Sequence, residues 1–339
     1  MRFLSIILSV ILFLPSCVKE ETNSIDGGNP KYVWLTSNIS IEISNDPIKR
    51  SVIEGANIPV NSEIGVFALR TNNEEQASLG ARINGDVECE KFLENVEYVV
   101  ESQSGSMQQE NLPQWPSKVD GYEGLTFYAY YPHNEYLMDY EITDDDDIED
   151  SYYMTTELNV TDMSKTIDYL YTGKIYWPTP ENELERVDLT FKHALSRIKF
   201  VVKSTSEDIT STVNNIVVNA YCGKKGYFYI ADGTCRPTST SQQSYTYPLE
   251  KQINKQSPVE ANFLLYPNVK IRYIRCKING TQYTVYDETS DNVLITLTKG
   301  KYITFNITFS PKPINLGNVV SEWEASPEDN RDIHIDEVE

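Results

Sequence analysis

Short runs in which apolar and polar side chains alternate recur along this chain. They comprise Ile39, Ile41 and Ile43; Leu125, Phe127 and Ala129; Ile198, Phe200 and Val202; and Ile303, Phe305, Ile307 and Phe309. A period of two turns one face of a segment to a core and the other to water, so each run predicts a β-strand. Turn-forming stretches separate the runs at 71–75, 121–124, 231–234 and 287–292. No long segment carries the 3.6-residue spacing of an amphipathic helix. Tyr, Thr, Val and Ile are plentiful and Ala is scarce, which suits pleated, half-buried surfaces. The expected fold class is all-β, with the strand-and-turn rhythm of β-sandwiches. The chain is long enough for two cores, and a polar stretch with two prolines at 178–186 marks the expected break. The domains then run 32–186 and 187–323, with an acidic tail at 324–339.

The N-terminus follows a different pattern. An apolar run at 6–14 follows a single basic residue, Arg2, and ends in Leu14, Pro15, Ser16 and Cys17. The run is much shorter than the roughly 20 residues needed to span a bilayer, so residues 1–16 read as a signal peptide. The ending resembles a bacterial lipobox, which makes Cys17 the lipidated (palmitate-type acyl) first residue of the mature chain. Acyl chains contribute about 0.8 kcal/mol per buried methylene, and two or more anchor stably. Lys19, Glu20 and Glu21 resemble the surface-export signal of Bacteroidetes lipoproteins, and residues 17–31 then form a flexible tether rich in Gly, Asn and Ser. The expected location is the outer membrane, facing the cell surface.

Charge and cysteine usage narrow the partners. A net charge of −21 repels nucleic acid and anionic lipid. Besides Cys17 there are Cys89, Cys222, Cys235 and Cys276, with no CxxC pair and three histidines in all, so no zinc site of finger type is expected. Cys222 and Cys235 flank a strand-and-turn segment; they either bond in an oxidising compartment or remain buried thiols. Six carboxylates in seven residues at 144–150 lack the glycine turn and ligand alternation of an EF-hand loop and read as a solvated acidic loop.

Catalytic raw material is thin. No GxSxG, Walker or dinucleotide fingerprint occurs. His193 lies between Phe191 and Leu195 in a strand-like run; it would need an orienting carboxylate such as Asp188 to act as a base, and one hydrogen bond suffices for a structural role. His133, beside Pro132, reads as a loop residue. The chain is therefore expected to be no enzyme and to hold no cofactor. Exposed aromatics offer an alternative, a glycan-binding surface: Tyr130, Tyr131, Tyr152, Tyr153, Trp115 and Trp177 could stack on sugars.

Several segments, taken in order, carry a family resemblance: Ile64 through Ala68; Leu125 through Ala129 before Tyr131 and Pro132; Leu189 through Arg197, with Phe191, Lys192, His193, Ala194 and Leu195 the most specific part; Leu297 through Lys301; Phe305 through Phe309; and Trp323. The order resembles the fimbrillin family of Bacteroidales surface lipoproteins. The resemblance implies two tandem sandwich domains of transthyretin-like topology and a role as a structural or adhesive pilus subunit. It also implies assembly with other pilin subunits by strand exchange, with a surface ligand as a further partner. In the family a trypsin-like protease removes the first strand after an early arginine; here Arg50, followed by Ser51, stands in that place, behind the strand expected at 33–43. Arg50 also fits an ordinary loop residue. At the other end, Ile333 and Ile335 alternate as a donor strand requires, with Val338 beyond them, and the same residues fit a disordered acidic tail.

Overall fold

The computed structural model describes residues 32–39, 53, 58–72, 79, 90–116, 123–140, 151–180, 186–207, 210–289, 295–311 and 330–336. Among the described residues the chain is all-β, with one short 3-10 turn, Met163–Lys165, and no α-helix.

The first sheet has eight strands. In spatial order they are β2 (Glu63–Thr71), β3 (Lys91–Val100), β4 (Ser106–Gln108), β1 (Trp34–Ile39), β10 (Arg186–His193), β8 (Leu170–Tyr171), β5 (Gly124–Tyr131) and β9 (Ile175–Pro178). β5 also pairs with β2 along seven residues, Gly65 opposite Tyr130 through Thr71 opposite Gly124, so the sheet curls back on itself as a partial barrel. Its interior holds Ile64, Val66, Leu125, Phe127, Ala129, Leu189 and Phe191, all fully buried. The alternation seen in β5 is overridden here: Gly124 through Tyr130 are all buried. The odd positions face the barrel, and Tyr128 and Tyr130 join the neighbouring core.

Two further four-stranded sheets make a sandwich. One runs β16 (Val259–Leu265), β11 (Ser196–Ser204), β19 (Tyr302–Ser310) and β20 (Asn330–Asp336); the other runs β15 (Gln242–Ile253), β12 (Ser211–Tyr221), β17 (Ile271–Ile278) and β18 (Thr281–Asp287). Their period-two patterns hold. Ile198, Phe200 and Val202 of β11 and Phe305, Ile307 and Phe309 of β19 share a core with Val213, Ile216 and Val218 of β12. Phe200 stacks on Phe305 at 5.3 Å and meets Phe263 edge-on at 5.4 Å, the offset geometries that aromatic quadrupoles favour.

A fourth sheet joins the halves: β14 (Cys235–Pro237), β13 (Lys225–Tyr229), β7 (Ser151–Glu157) and β6 (Met138–Tyr140). β7 precedes the expected break and β13 follows it, yet they pair from Lys225 opposite Glu157 to Tyr229 opposite Tyr153. Phe228 packs on Tyr130 and Tyr169 of the first half. The boundary expected at 186/187 also falls inside β10, whose whole length belongs to the first sheet. The chain changes sheets later, at Ala194 and Leu195. Ala194 donates its N–H to Tyr169 at 2.9 Å on the first side, and Leu195 accepts from Gly300 at 3.1 Å on the second.

Candidate functional site

The strand expected ahead of Arg50 is β1. It is an internal strand: parallel to β10, from Trp34 opposite Arg186 to Ile39 opposite Phe191, and antiparallel to β4 at Leu35 and Thr36. The strand expected at 33–43 is thus observed as Trp34–Ile39, the residues from 40 onward lying outside those described. Val33, Leu35 and Ile39 are buried in the barrel core beside Leu189, Phe191 and Trp115. Burying a side chain of this kind stabilises by about 1.5–3 kcal/mol.

Polar contacts fix its register. Val33 donates its N–H to Pro113 at 2.9 Å, and Ser37 donates its N–H to Gly105 at 2.8 Å, with its hydroxyl on the same carbonyl at 3.2 Å. Gly105 has φ +82°, and a Cβ there would sit 2.0 Å from the Ser37 carbonyl oxygen. The turn closing on β1 therefore requires glycine. On the other side the Thr36 hydroxyl donates to the Asp188 carboxylate and the Val187 carbonyl.

Asp188 thus serves Thr36. The carboxylate facing His193 is Asp168 instead, with oxygens 3.1 and 3.2 Å from Nδ1. The Asp168 side chain is 1 % exposed, and the backbone N–H of Ile53 donates to it at 3.1 Å. Burial opposes a charge on His193, but the carboxylate, by its charge and hydrogen bond, outweighs burial and holds the imidazole above its ordinary 6.5, with Arg197 acting the other way. His133 pairs with Glu97 at 3.2 Å.

The C-terminal strand sits differently. β20 runs parallel to β19 at the rim of its sheet, with Ile333 opposite Ile307 and Ile335 opposite Phe309. Cys17, Arg50, Ser51, Val338, Trp323, Cys89 and the acidic run at 144–150 lie outside the described residues.

Cys222, Cys235 and Cys276 are free, buried thiols. Burial pushes Cys222 up to about 11 and Cys276 up to about 12, so neither is a thiolate nucleophile near neutral pH. Among the described residues no group of three His, Cys, Asp or Glu is placed to hold a metal ion, and no helix is long and apolar enough to cross a membrane.

The six candidate sugar-stacking aromatics do not converge. Tyr130 and Trp115 are core residues, and Tyr152 stacks on Phe67 at 5.1 Å. Tyr153 packs against Tyr227 and Tyr229 of the joining sheet. Tyr131 and Trp177 pack against the barrel core. What the sequence pattern missed was the buried Asp168 and its hold on Ile53; an acidic residue flanked by Ile167 and Tyr169 was the available signal.

An internal strand contributed by residues ahead of an arginine, in a partly closed sheet, invites comparison with known proteins. The fimbrillin-like family matches residues 51–323, and the chain belongs to that family. Among solved structures the chain is similar to a proposed cell adhesion protein from Bacteroides ovatus, with 18 % identity, TM-score 0.52, 83 % of this chain and 93 % of that one covered. It is also similar to another proposed cell adhesion protein, from Bacteroides uniformis, with 16 % identity, TM-score 0.51, 82 % of this chain and 94 % of that one covered. At these identities the likeness establishes the fold alone. No curated protein matches.

Proposed function

We propose that this chain is a fimbrial subunit delivered to the cell surface as a lipoprotein anchored through Cys17, and that it polymerises by exchanging strands. The two halves are read as transthyretin-like sandwiches. Cutting between Arg50 and Ser51 detaches β1 together with the lipid. The vacated edges of β4 and β10 then accept an extended segment from a neighbouring subunit, with Ile333 and Ile335 of that neighbour's C-terminal strand filling the places of buried apolar residues such as Leu35 and Ile39. The chain performs no catalysis in this reading, and its partners are other pilin subunits.

The observation carrying the proposal is that β1 is an internal strand supplied from ahead of the cut, with its apolar side chains sealing the barrel core. Membership of the fimbrillin-like family supports the fimbrial role.

Treatment with an arginine-specific protease tests it. The expected result is one new N-terminus at Ser51, loss of the fragment bearing β1, and a ladder of oligomers on native gels. A chain that resists cutting at Arg50, or is cut there and stays monomeric, overturns the assembly mechanism. Cys17→Ala is expected to move the protein from the membrane fraction to a soluble one; unchanged attachment overturns the anchor.

A further inference from the structure

We propose that Asp168, braced by His193, is a docking clasp for the chain end that cutting at Arg50 creates. The inference rests on the processing reading above, but the clasp itself exists before any cut and is measurable there.

Position is the first argument. β10 ends at His193, and β1 finishes with Ile39 opposite Phe191, two residues short of it. Asp168 leads into β8, which pairs with β10 through His193 opposite Leu170. The clasp therefore stands at the end of the groove where β1 terminates. The chain is tied down at that same end at Ile53, whose N–H donates to Asp168 at 3.1 Å. Ile53 is held a second way, by its side chain, which packs against the barrel core. The scissile bond falls between these two points.

Chemistry is the second argument. A polar side chain this deeply buried needs hydrogen-bond partners. Among the described residues it has two, the imidazole Nδ1 and the Ile53 amide. Hydrolysis of the bond by the protease and water leaves a carboxylate on Arg50 and an ammonium on Ser51. The Arg50 side departs with β1. The Ser51 side cannot follow, because Ile53 is anchored by a charge-assisted hydrogen bond and by apolar packing, and only Ser51 and Val52 extend beyond the anchor. Opening the groove thus removes one strand without unravelling its rim.

Hydrogen exchange at the Ile53 amide is the test, measured on the full mature chain before and after arginine-specific cutting. Protection is expected in both states, and an aminopeptidase added to the cut chain is expected to stop after Ser51 and Val52. In Asp168→Ala, exchange at Ile53 is expected to rise about 10- to 100-fold, the loss of one charge-assisted bond, and trimming to pass Ile53, with the Phe127 amide still protected. Asp168→Asn keeps an acceptor and is expected to accelerate exchange less. If Asp168→Ala fails to fold, the unsubstituted chain decides: an Ile53 amide exchanging at the unprotected rate before cutting overturns the clasp. Equal protection in a folded Asp168→Ala overturns it too. Failure to cut at Arg50 while Ile53 is protected and responds to Asp168 overturns the processing reading and leaves the clasp standing.

Discussion

β1 and β20 are both short terminal strands, yet they occupy opposite situations. β1 has neighbours on both sides, and the segment it forms with the preceding residue buries three apolar side chains, Val33, Leu35 and Ile39. Among the described strands β20 has one neighbour and lies at a rim. Removing an internal strand leaves two unpaired edges facing each other across a slot, whereas removing a rim strand exposes another rim. The first cost is large: the three side chains alone account for roughly 5–9 kcal/mol of burial, an upper bound because unfolded chains bury some area too. A strand so held does not leave spontaneously, which is why a covalent cut belongs in the proposal. A rim strand held on one side can be withdrawn and offered elsewhere at less cost, which sets the direction of exchange in the proposed assembly.

Two substitutions probe the strong side of that comparison. Leu35→Ala is expected to destabilise the uncut chain by about 2–5 kcal/mol in urea unfolding, since it deletes buried methylenes in a core with little freedom to collapse. Gly105→Ala is expected to cost about 1–3 kcal/mol through positive φ and the approach to the Ser37 carbonyl. It should also make residues 33–39 exchange hydrogen faster than the rest of the sheet. If either variant proves neutral, β1 is held less firmly than its burial implies and the asymmetry weakens.

The strand pattern of the sandwich was legible because its strands bury one face each, so the period of two in Ile198, Phe200 and Val202 survives intact. β5 was legible as a strand but not as one covered on both sides, since its alternate Tyr128 and Tyr130 pack across to the other core. The run from Leu189 to Val202 reads as one apolar segment. It is two strands in two sheets, and nothing local signals the change at Ala194 and Leu195, because partner choice is a long-range property. The same limit hid the clasp. Asp188 is nearer His193 in sequence, but adjacent strands place Asp168 against the imidazole and Asp188 against Thr36.

The weak side of the comparison is tested by ending the chain at residue 323. Loss of β20 is expected to lower stability in urea by less than Leu35→Ala does, because a single rim ladder is removed. The shortened chain, once cut, is expected to accept a donor from a full-length subunit but not to extend the polymer, so mixing the two on native gels should shorten the ladder in proportion to the truncated fraction. Ladders unaffected by truncation would move the donor role away from Ile333 and Ile335.

The smallest expected effect concerns pH, and its sign follows from His193. The folded-state value is raised above 6.5 by Asp168 despite burial and despite Arg197. A group raised on folding binds protons more tightly in the folded chain, so its contribution is complete below the unfolded value and disappears as pH rises through the folded one. The ion pair with Asp168 should therefore stabilise the clasp at mildly acidic pH and fade above neutrality. In urea unfolding, the unsubstituted chain should exceed His193→Gln by a margin that is constant below about pH 6 and shrinks as the imidazole loses its proton. β1 ends opposite Phe191, two residues before His193, so Leu35→Ala should lower stability by the same amount across that range. A Leu35→Ala loss that tracked the His193 titration would mean that groove and clasp open as one unit, so that cutting would loosen both.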